Sequence, residues 1–458
     1  MKKFTGARDT GNFRQNIQSG QRVVKSSITY HGLFNEYYFS IGEPENEKLM
    51  TTHDTVAISK NPFTGNKEYF ISVAMKSKYD GEGIKKIGRP PLNCAVVLDI
   101  SGSMGSGFRG RSNQEEEKLS KLEVAKRTIL GLTENFQKDD NFGVVIFDND
   151  AEVLFPFQKW GQVDQEQLKK SINSLKPRGG TNMSEGIIEG ARMIQKFLKE
   201  SGTDPNEISD RENRILFLTD AQPTAGETKS TGLFSLAKEY SEQRIYCTFI
   251  GVGVDFNTQL LEVITKTKGA MYFSVHSASE FKRRMETEFD YMMMPICFDI
   301  KLQVDGSKIK RVYGSPDSED KKDTTIADIS TAMPSHMNEQ NETQGGIIVL
   351  KMDPTVSDGL PLNLTLSFND KKGNPLKEVD QVVFPSLNQD QDEFYQDSSI
   401  RKAILLIRYV KFIKNFERNE ENKQKANKLI QLFKSEIPII GDKKLQREVE
   451  ILEEIIKF

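Results

Sequence analysis

Cysteine, histidine and tryptophan are scarce in this chain: three, four and one in 458 residues. So few cysteines, and an odd number of them, exclude a disulfide framework. Cys94, Cys247 and Cys297 read as reduced structural thiols, the first two inside apolar runs, and they point to the cytoplasm. His31, His53, His276 and His336 are scattered with no His-x-x-x-His pairing, and no Cys-x-x-Cys pair exists, so the usual zinc-ligand patterns are missing. No Gly-x-x-x-x-Gly-Lys-Ser/Thr loop is available to cradle a nucleotide. No apolar run approaches the ~20 residues of a spanning helix. A charge excess is missing too: a net charge of −3 gives no overall pull toward nucleic acid or anionic membrane. The first residues lack the apolar core of a secretory signal, and the basic, nearly acid-free stretch 1–31 reads as a solvated tail rather than a targeting segment.

What is present is a repeated pattern of buried strand followed by hard oxygen donors. Cys94-Ala95-Val96-Val97-Leu98 is a short continuous apolar run, the mark of a strand covered on both faces of a parallel sheet. It leads at once into Asp99-Ile100-Ser101-Gly102-Ser103-Met104, one carboxylate and two hydroxyls at alternate positions. Gly179-Gly180-Thr181-Asn182 follows Pro177 and precedes an amphipathic helix, delivering a further hydroxyl at a helix start. Arg214-Ile215-Leu216-Phe217-Leu218-Thr219-Asp220 is a second buried strand that ends in a carboxylate. Ligands of open α/β sheets bind outside the carboxyl ends of the strands, and an all-oxygen set there suits Mg²⁺ or Mn²⁺.

Asp-x-Ser-x-Ser, then a Gly-Thr loop, then Thr-Asp after a strand, resembles the metal-ion-dependent adhesion site of von Willebrand factor type A domains. The resemblance covers about 92–290 and includes each ligand position in order. It implies that Ser101, Ser103 and Thr181 touch the metal, with Asp99 and Asp220 acting largely through water or as hydrogen-bond partners of those groups. One departure is that Ala221 stands where a Gly commonly follows the second Asp, which stiffens the turn. The implied fold is a Rossmann-like α/β domain, a mostly parallel sheet with helices on both faces.

The alternation of apolar strands and amphipathic helices over 92–290 points the same way. Strands are expected at 93–98, 143–147, 213–219, 245–250 and 270–274, with Asp148-Asn149-Asp150 turning into an antiparallel edge strand at 152–155. Residues 1–60 show little periodicity and read as irregular or disordered. Tyr69–Met75 reads as a strand, separated from the metal-bearing domain by a Gly- and Pro-rich linker within 61–91. Residues 291–388 change to period-two alternation, as in Phe298–Val304 before the Asp305-Gly306 turn signal, and read as an antiparallel β-sandwich. The strand around 69–75 is expected to join it, so that the α/β domain is inserted in a β module. Intracellular proteins of the von Willebrand type resemble this layout. Residues 393–458 read as a helical module in which Pro438 and Gly441 separate the last two helices.

The functional expectation is a non-enzymatic, Mg²⁺-dependent protein-interaction module. Neutral hydroxyls leave a divalent cation incompletely neutralised, so an Asp or Glu of a protein partner can complete its shell. The loops 104–114, 149–151, 179–182 and 221–228 would form the rim. No nucleophile or base is evident: Ser103 lacks a nucleophile-elbow context because position 101 is Ser. A Mg²⁺-dependent phosphohydrolase is the enzymatic alternative, weakened because Ser101 replaces the second carboxylate usual in aspartate-based phosphatases. The other alternative is a structural adaptor whose metal only stabilises the fold.

Overall fold

The computed structural model describes residues 14, 17, 28–42, 47–107, 119–202, 211–252, 260, 263, 266–275, 278–304, 308–315, 324–387 and 392–457. The chain begins with a short helix, Tyr30–Phe34, and strands β1 (Tyr38–Ser40), β2 (Met50–Lys60) and β3 (Lys67–Ser77). Six strands then alternate mostly with helices: β4 (Leu92–Asp99), β5 (Asn141–Phe147), β6 (Ala151–Lys159), β7 (Glu212–Thr219), β8 (Ile245–Val252) and β9 (Met271–Val275). After them come β10 (Cys297–Val304), β11 (Ile309–Tyr313), β12 (Thr325–Ala332), β13 (Glu342–Gln344), β14 (Ile347–Met352), β15 (Leu362–Asp370), β16 (Pro375–Val382) and β17 (Phe394–Tyr395).

The six-stranded sheet has the order β6-β5-β4-β7-β8-β9, parallel except for the edge strand β6. Its residues alternate between two apolar layers. Cys94, Val96, Leu98, Val144 and Leu216 pack against Leu122 and Ile129 of the helix Lys121–Thr133 and against Met285 and Phe289 of Ala278–Met293. Ala95, Val97, Val145 and Phe217 face Ile187 and Ile194 of the helix Met183–Glu200 and Leu233 of Ser230–Glu242. Burial on both faces explains why β4 and β7 are unbroken apolar runs rather than alternating ones. Gly190 lets the helix Met183–Glu200 lie close on β4, since a Cβ there would stand 2.7 Å from Val97 Cγ2. This is the fold that the resemblance implied.

Beyond it lies a second body of three layers. One sheet, β11-β14-β3-β2-β17, is flanked on one side by the sheet β12-β10-β15-β16 and on the other by helices. The alternation is explicit: Val56, Ile71, Val73, Ile348 and Leu350 enter the inter-sheet core, whereas Ala57, Phe70, Ala74, Ile347 and Val349 face the helices Ser398–Lys414 and Glu420–Ile440. Tyr69–Met75 lies in β3 and pairs with β14, Ile71 opposite Leu350 and Val73 opposite Ile348. The chain thus leaves this body at the end of β3 and re-enters it at β10, with the six-stranded domain between.

Two expectations need correction. Residues 1–60 are not irregular throughout: β2 pairs with β3 over eleven residues, and Tyr37 Oη donates to buried Glu448 Oε1 at 2.6 Å, tying the N-terminal part to the last helix. Polar Thr51, Thr52 and Thr55 on β2 hide the periodicity, yet as buried β-branched residues they suit a paired strand. Nor does Pro438 separate two helices. It lies in the final turn of Glu420–Ile440, which ends instead at left-handed Gly441, whose N–H donates to Ile437 O. The Asp305-Gly306 turn signal and His276 lie outside the described residues. No helix among the described residues is long and apolar enough to cross a membrane.

Candidate metal centre

The carboxyl ends of β4 and β7 are neighbours, so Asp99 and Asp220 emerge side by side from the sheet. Asp99 is fully buried; its Oδ1 accepts the Ser101 N–H at 2.8 Å and its Oδ2 accepts the Thr219 hydroxyl at 2.6 Å. Burial pushes its carboxyl up to about 6, opposed by the hydrogen bonds from Ser101 and Thr219 and assisted by the nearby Asp220 charge. Those bonds make the chain double back after β4, so that Ser101 and Ser103 turn their hydroxyls together, 3.1 Å apart. Ser101 is buried and Ser103 half-buried, at the start of a single 3-10 turn.

Backbone hydrogen bonds bring the Gly-Thr loop to the same place. Arg178 N–H donates to Ile100 O at 2.7 Å and Gly102 N–H donates to Gly179 O at 3.1 Å. Gly179 adopts φ +64°, and a Cβ at Gly180 would lie 2.7 Å from Asn149 Oδ1, so both glycines serve close approach. Thr181 is buried and locked to the loop after β7: its N–H donates to Thr224 Oγ1 at 2.9 Å and its carbonyl accepts the Thr224 N–H at 2.9 Å. Asn182 N–H donates to Asp148 O at 2.7 Å, fastening the 148–150 turn beside it. Loop segments from 101–103, 148–150, 178–182 and 219–225 are therefore one structure. Arg109 and Arg111 of the 104–114 loop lie outside the described residues.

Asp220 differs from Asp99. Its Oδ2 accepts from Lys121 Nζ at 3.1 Å, while its Oδ1 is buried without a hydrogen-bond partner. A buried carboxylate oxygen left unpartnered is costly, and its natural complement is a cation. The candidate donors carried by the loops that meet here are all oxygen: two carboxylates and the hydroxyls of Ser101, Ser103 and Thr181. That set fits a hard divalent ion that keeps some of its waters. Among the described residues no cluster of three or more His, Cys, Asp or Glu side chains could hold a metal by itself, so any cation here depends on the hydroxyls.

Two participants had no role assigned from the sequence, although Thr219 stands in the Thr-Asp step of the motif. Thr219 links the two strand ends, its oxygen donating to Asp99 and accepting the Ala221 N–H at 2.8 Å. Lys121, nearly fully buried, is the first residue of the helix Lys121–Thr133. A cation in the first turn opposes the helix dipole, and that is the one signal by which the sequence could have marked it. Ala221 adopts φ +54°, so the position does demand the left-handed backbone that a Gly would take without strain.

Residues 93–287 match the family model of the von Willebrand factor type A domain. Among curated relatives, the Synechocystis protein sll0103 is 28% identical over 218 residues, 47% of this chain and 44% of its own length. Inter-alpha-trypsin inhibitor heavy chain H1 of Mesocricetus auratus is 23% identical over 223 residues, 48% of this chain and 22% of its own length. The chain thus spans less than half the length of these relatives. Among solved structures, a von Willebrand factor type A protein from Catenulispora acidiphila superposes with a TM-score of 0.43 at 12% identity, covering 82% of this chain and 81% of that one.

Proposed function

We propose, on the premise that residues 93–287 form a von Willebrand factor type A domain, that this chain binds a protein partner through a Mg²⁺ or Mn²⁺ ion held by Asp99, Ser101, Ser103, Thr181 and Asp220. The ion supplies a Lewis-acidic point of attachment for an Asp or Glu of that partner. Ser101, Ser103 and Thr181 offer it neutral oxygens, while Asp99 and Asp220 orient those hydroxyls and bound waters. The observations that support the reading are the buried Asp220 Oδ1 without a hydrogen-bond partner and the Ser101 and Ser103 hydroxyls 3.1 Å apart. Charge supports it as well. Among the described residues, Asp99, Asp220 and Lys121 sum to −1, so a divalent ion turns this set to +1 and gives it an affinity for one anionic group. The reading is non-enzymatic: Ser101, Ser103, Asp99, Asp220 and Lys121 are assigned to holding an ion and balancing its charge, not to attack or proton transfer. The three cysteines are buried and unpaired, which fits a reducing compartment such as the cytoplasm.

The test is partner affinity measured in Mg²⁺ and in EDTA, for the native chain and for Thr181→Ala. The expected result is a loss of about tenfold or more in EDTA, as for a charged hot spot in a desolvated interface. Thr181→Ala should lose affinity in the same direction while melting as the native chain does. Equal affinities in the two buffers would make the ion structural, and Mg²⁺-dependent turnover of common phosphoesters would favour the phosphohydrolase.

A further inference from the structure

Lys121 enters the proposed metal reading only as one positive charge, yet its placement is specific. Its side chain is 2% exposed, its Nζ lies 3.1 Å from Asp220 Oδ2, and Asp220 itself is fully buried. Lysine is almost never buried unless paired, and here it is also set against the dipole of its own helix. The position is nonetheless held firmly. Ser120 caps the helix by accepting the Glu123 N–H, and Lys121 N–H donates to Ser106 O at 3.0 Å, in the loop that carries Ser101 and Ser103. The backbone thus fixes the lysine to the same loop as the hydroxyls, with its ammonium at the carboxylate.

We infer that Lys121 is a tethered counter-cation of the metal centre: it partly neutralises Asp220 when no divalent ion is bound, competes with the ion for that carboxylate, and supplies the surplus positive charge that an acidic partner group meets once the ion is in place. The inference rests on the metal-binding reading above. An ammonium is a compact charge on a flexible four-carbon stem, able to satisfy one carboxylate oxygen and then withdraw, whereas a guanidinium fork would hold both. Asp220 is held in that partial manner, one oxygen engaged and the other unpartnered. Two consequences follow. The lysine weakens binding of the divalent ion, because ion and ammonium repel each other across a shared carboxylate. It also lowers the dependence of the fold on the ion, because the two buried carboxylates never stand together without a cation.

The experiment uses the full chain, stripped with EDTA and dialysed, in native form and as Lys121→Met, which keeps length and bulk but not charge. Mn²⁺ and Mg²⁺ are titrated by calorimetry, and thermal melting is followed with and without ion. The Met variant should bind the ion about tenfold more tightly or better, melt lower than the native chain in EDTA, and gain more on adding Mn²⁺. Lys121→Arg, which keeps the charge, should bind no more tightly than the native chain. If Lys121→Met does not fold without the ion, recovery of cooperative melting in Mn²⁺ is the expected result. If it does not fold with the ion either, Lys121→Gln is titrated against the same criterion. A folded neutral variant with unchanged or weakened ion affinity overturns the inference while leaving the metal reading intact. Ion binding by Lys121→Met but not by the native chain would overturn the metal reading and with it the inference, because the lysine would then be the permanent occupant of the site rather than a counter-cation beside an ion. Binding by neither overturns both.

Discussion

Asp140 and Asp220 lie at opposite ends of the same six-stranded sheet, just before β5 and just after β7, and both are fully buried. Both have a basic partner, yet the pairing differs in kind. Around Asp140 every lone pair has an assignment. Arg89 closes a fork on it, Nη1 to Oδ1 at 2.9 Å and Nη2 to Oδ2 at 2.6 Å, while Leu92 and Gln137 each donate a backbone N–H at 2.7 Å. Arg89 also donates to Asp290 Oδ1 at 2.7 Å, joining the entry to β4 with the last helix of the domain. Asp220 has one lysine on one oxygen and nothing on the other. A rigid, saturated pair holds a fold together, whereas a flexible, half-saturated pair keeps binding capacity in reserve.

The surroundings follow the same division. At the Asp140 end the domain meets the β module. Lys268 Nζ lies 2.6 Å from Asp299 Oδ2, Gly269 N–H donates to Thr331 Oγ1 at 2.8 Å, and Lys371 pairs with Glu212 at the start of β7. The Asp220 end lies at the far end of an eight-residue strand, roughly 25 Å away. The β module therefore holds the domain by its base and leaves the hydroxyl-bearing loops clear of these contacts.

Removing one partner from each end measures the contrast most directly. Arg89→Met strands a fully buried carboxylate and should cost about 3–5 kcal/mol in denaturant unfolding. Asp220→Asn, measured in EDTA, should cost less, because the carboxamide oxygen can still accept from Lys121 Nζ and the half-satisfied buried charge is removed. Comparable losses at the two ends would erase the distinction.

A smaller effect comes from pH. Asp99 is held near 6 by burial, well above the value of about 4 usual for an unfolded aspartate. A carboxyl whose folded pKa is raised favours the folded state while protonated. That contribution is complete below the unfolded pKa and is lost as pH rises through about 6. Asp80, accepting the Ser77 and Ser335 N–H groups at 2.6 and 2.7 Å where the chain leaves β3, is likewise held near 6. In EDTA, Asp99→Asn should therefore gain stability over the native chain between about pH 4 and 7, by up to about 2–3 kcal/mol. Added Mg²⁺ should remove that gain at Asp99 and leave the corresponding gain of Asp80→Asn unchanged. Parallel responses of the two variants to Mg²⁺ would deny the metal end its special character.

The smallest effect is backbone strain. Ala221, at φ +54°, should be eased by Ala221→Gly by no more than about 1 kcal/mol, the greater freedom of Gly in the unfolded chain offsetting part of it. A hydrogen-exchange comparison should confine any change to the loop after β7. A change reaching the Arg89–Asp140 junction would show the two ends to be coupled.

Much of this organisation is legible in the residues because it depends on local pattern. Apolar runs covered on both faces mark β4 and β7, and they lead into Asp99 and the Thr219-Asp220 step, so residue pattern alone assigns these hydroxyls and carboxylates to one end of a sheet. The free thiols Cys94 and Cys247 and the hairpin at 148–150 follow from equally short stretches of sequence. Strand β2 escapes such reading because its partners lie elsewhere: the eleven residues with Thr51, Thr52, His53, Asp54 and Thr55 have no alternation of their own and become a strand by pairing with β3. Lys121 escapes for a related reason. A lysine at the head of an amphipathic helix reads as solvated surface, and only the packing of that helix against β4 and β7 carries its ammonium to Asp220. Residue type and spacing determined which chemistry this chain can present, since strand burial and donor identity are local. The tertiary structure alone decided which carboxylate is saturated and which is left with an open oxygen, because a buried charge takes its energy from neighbours far away in sequence.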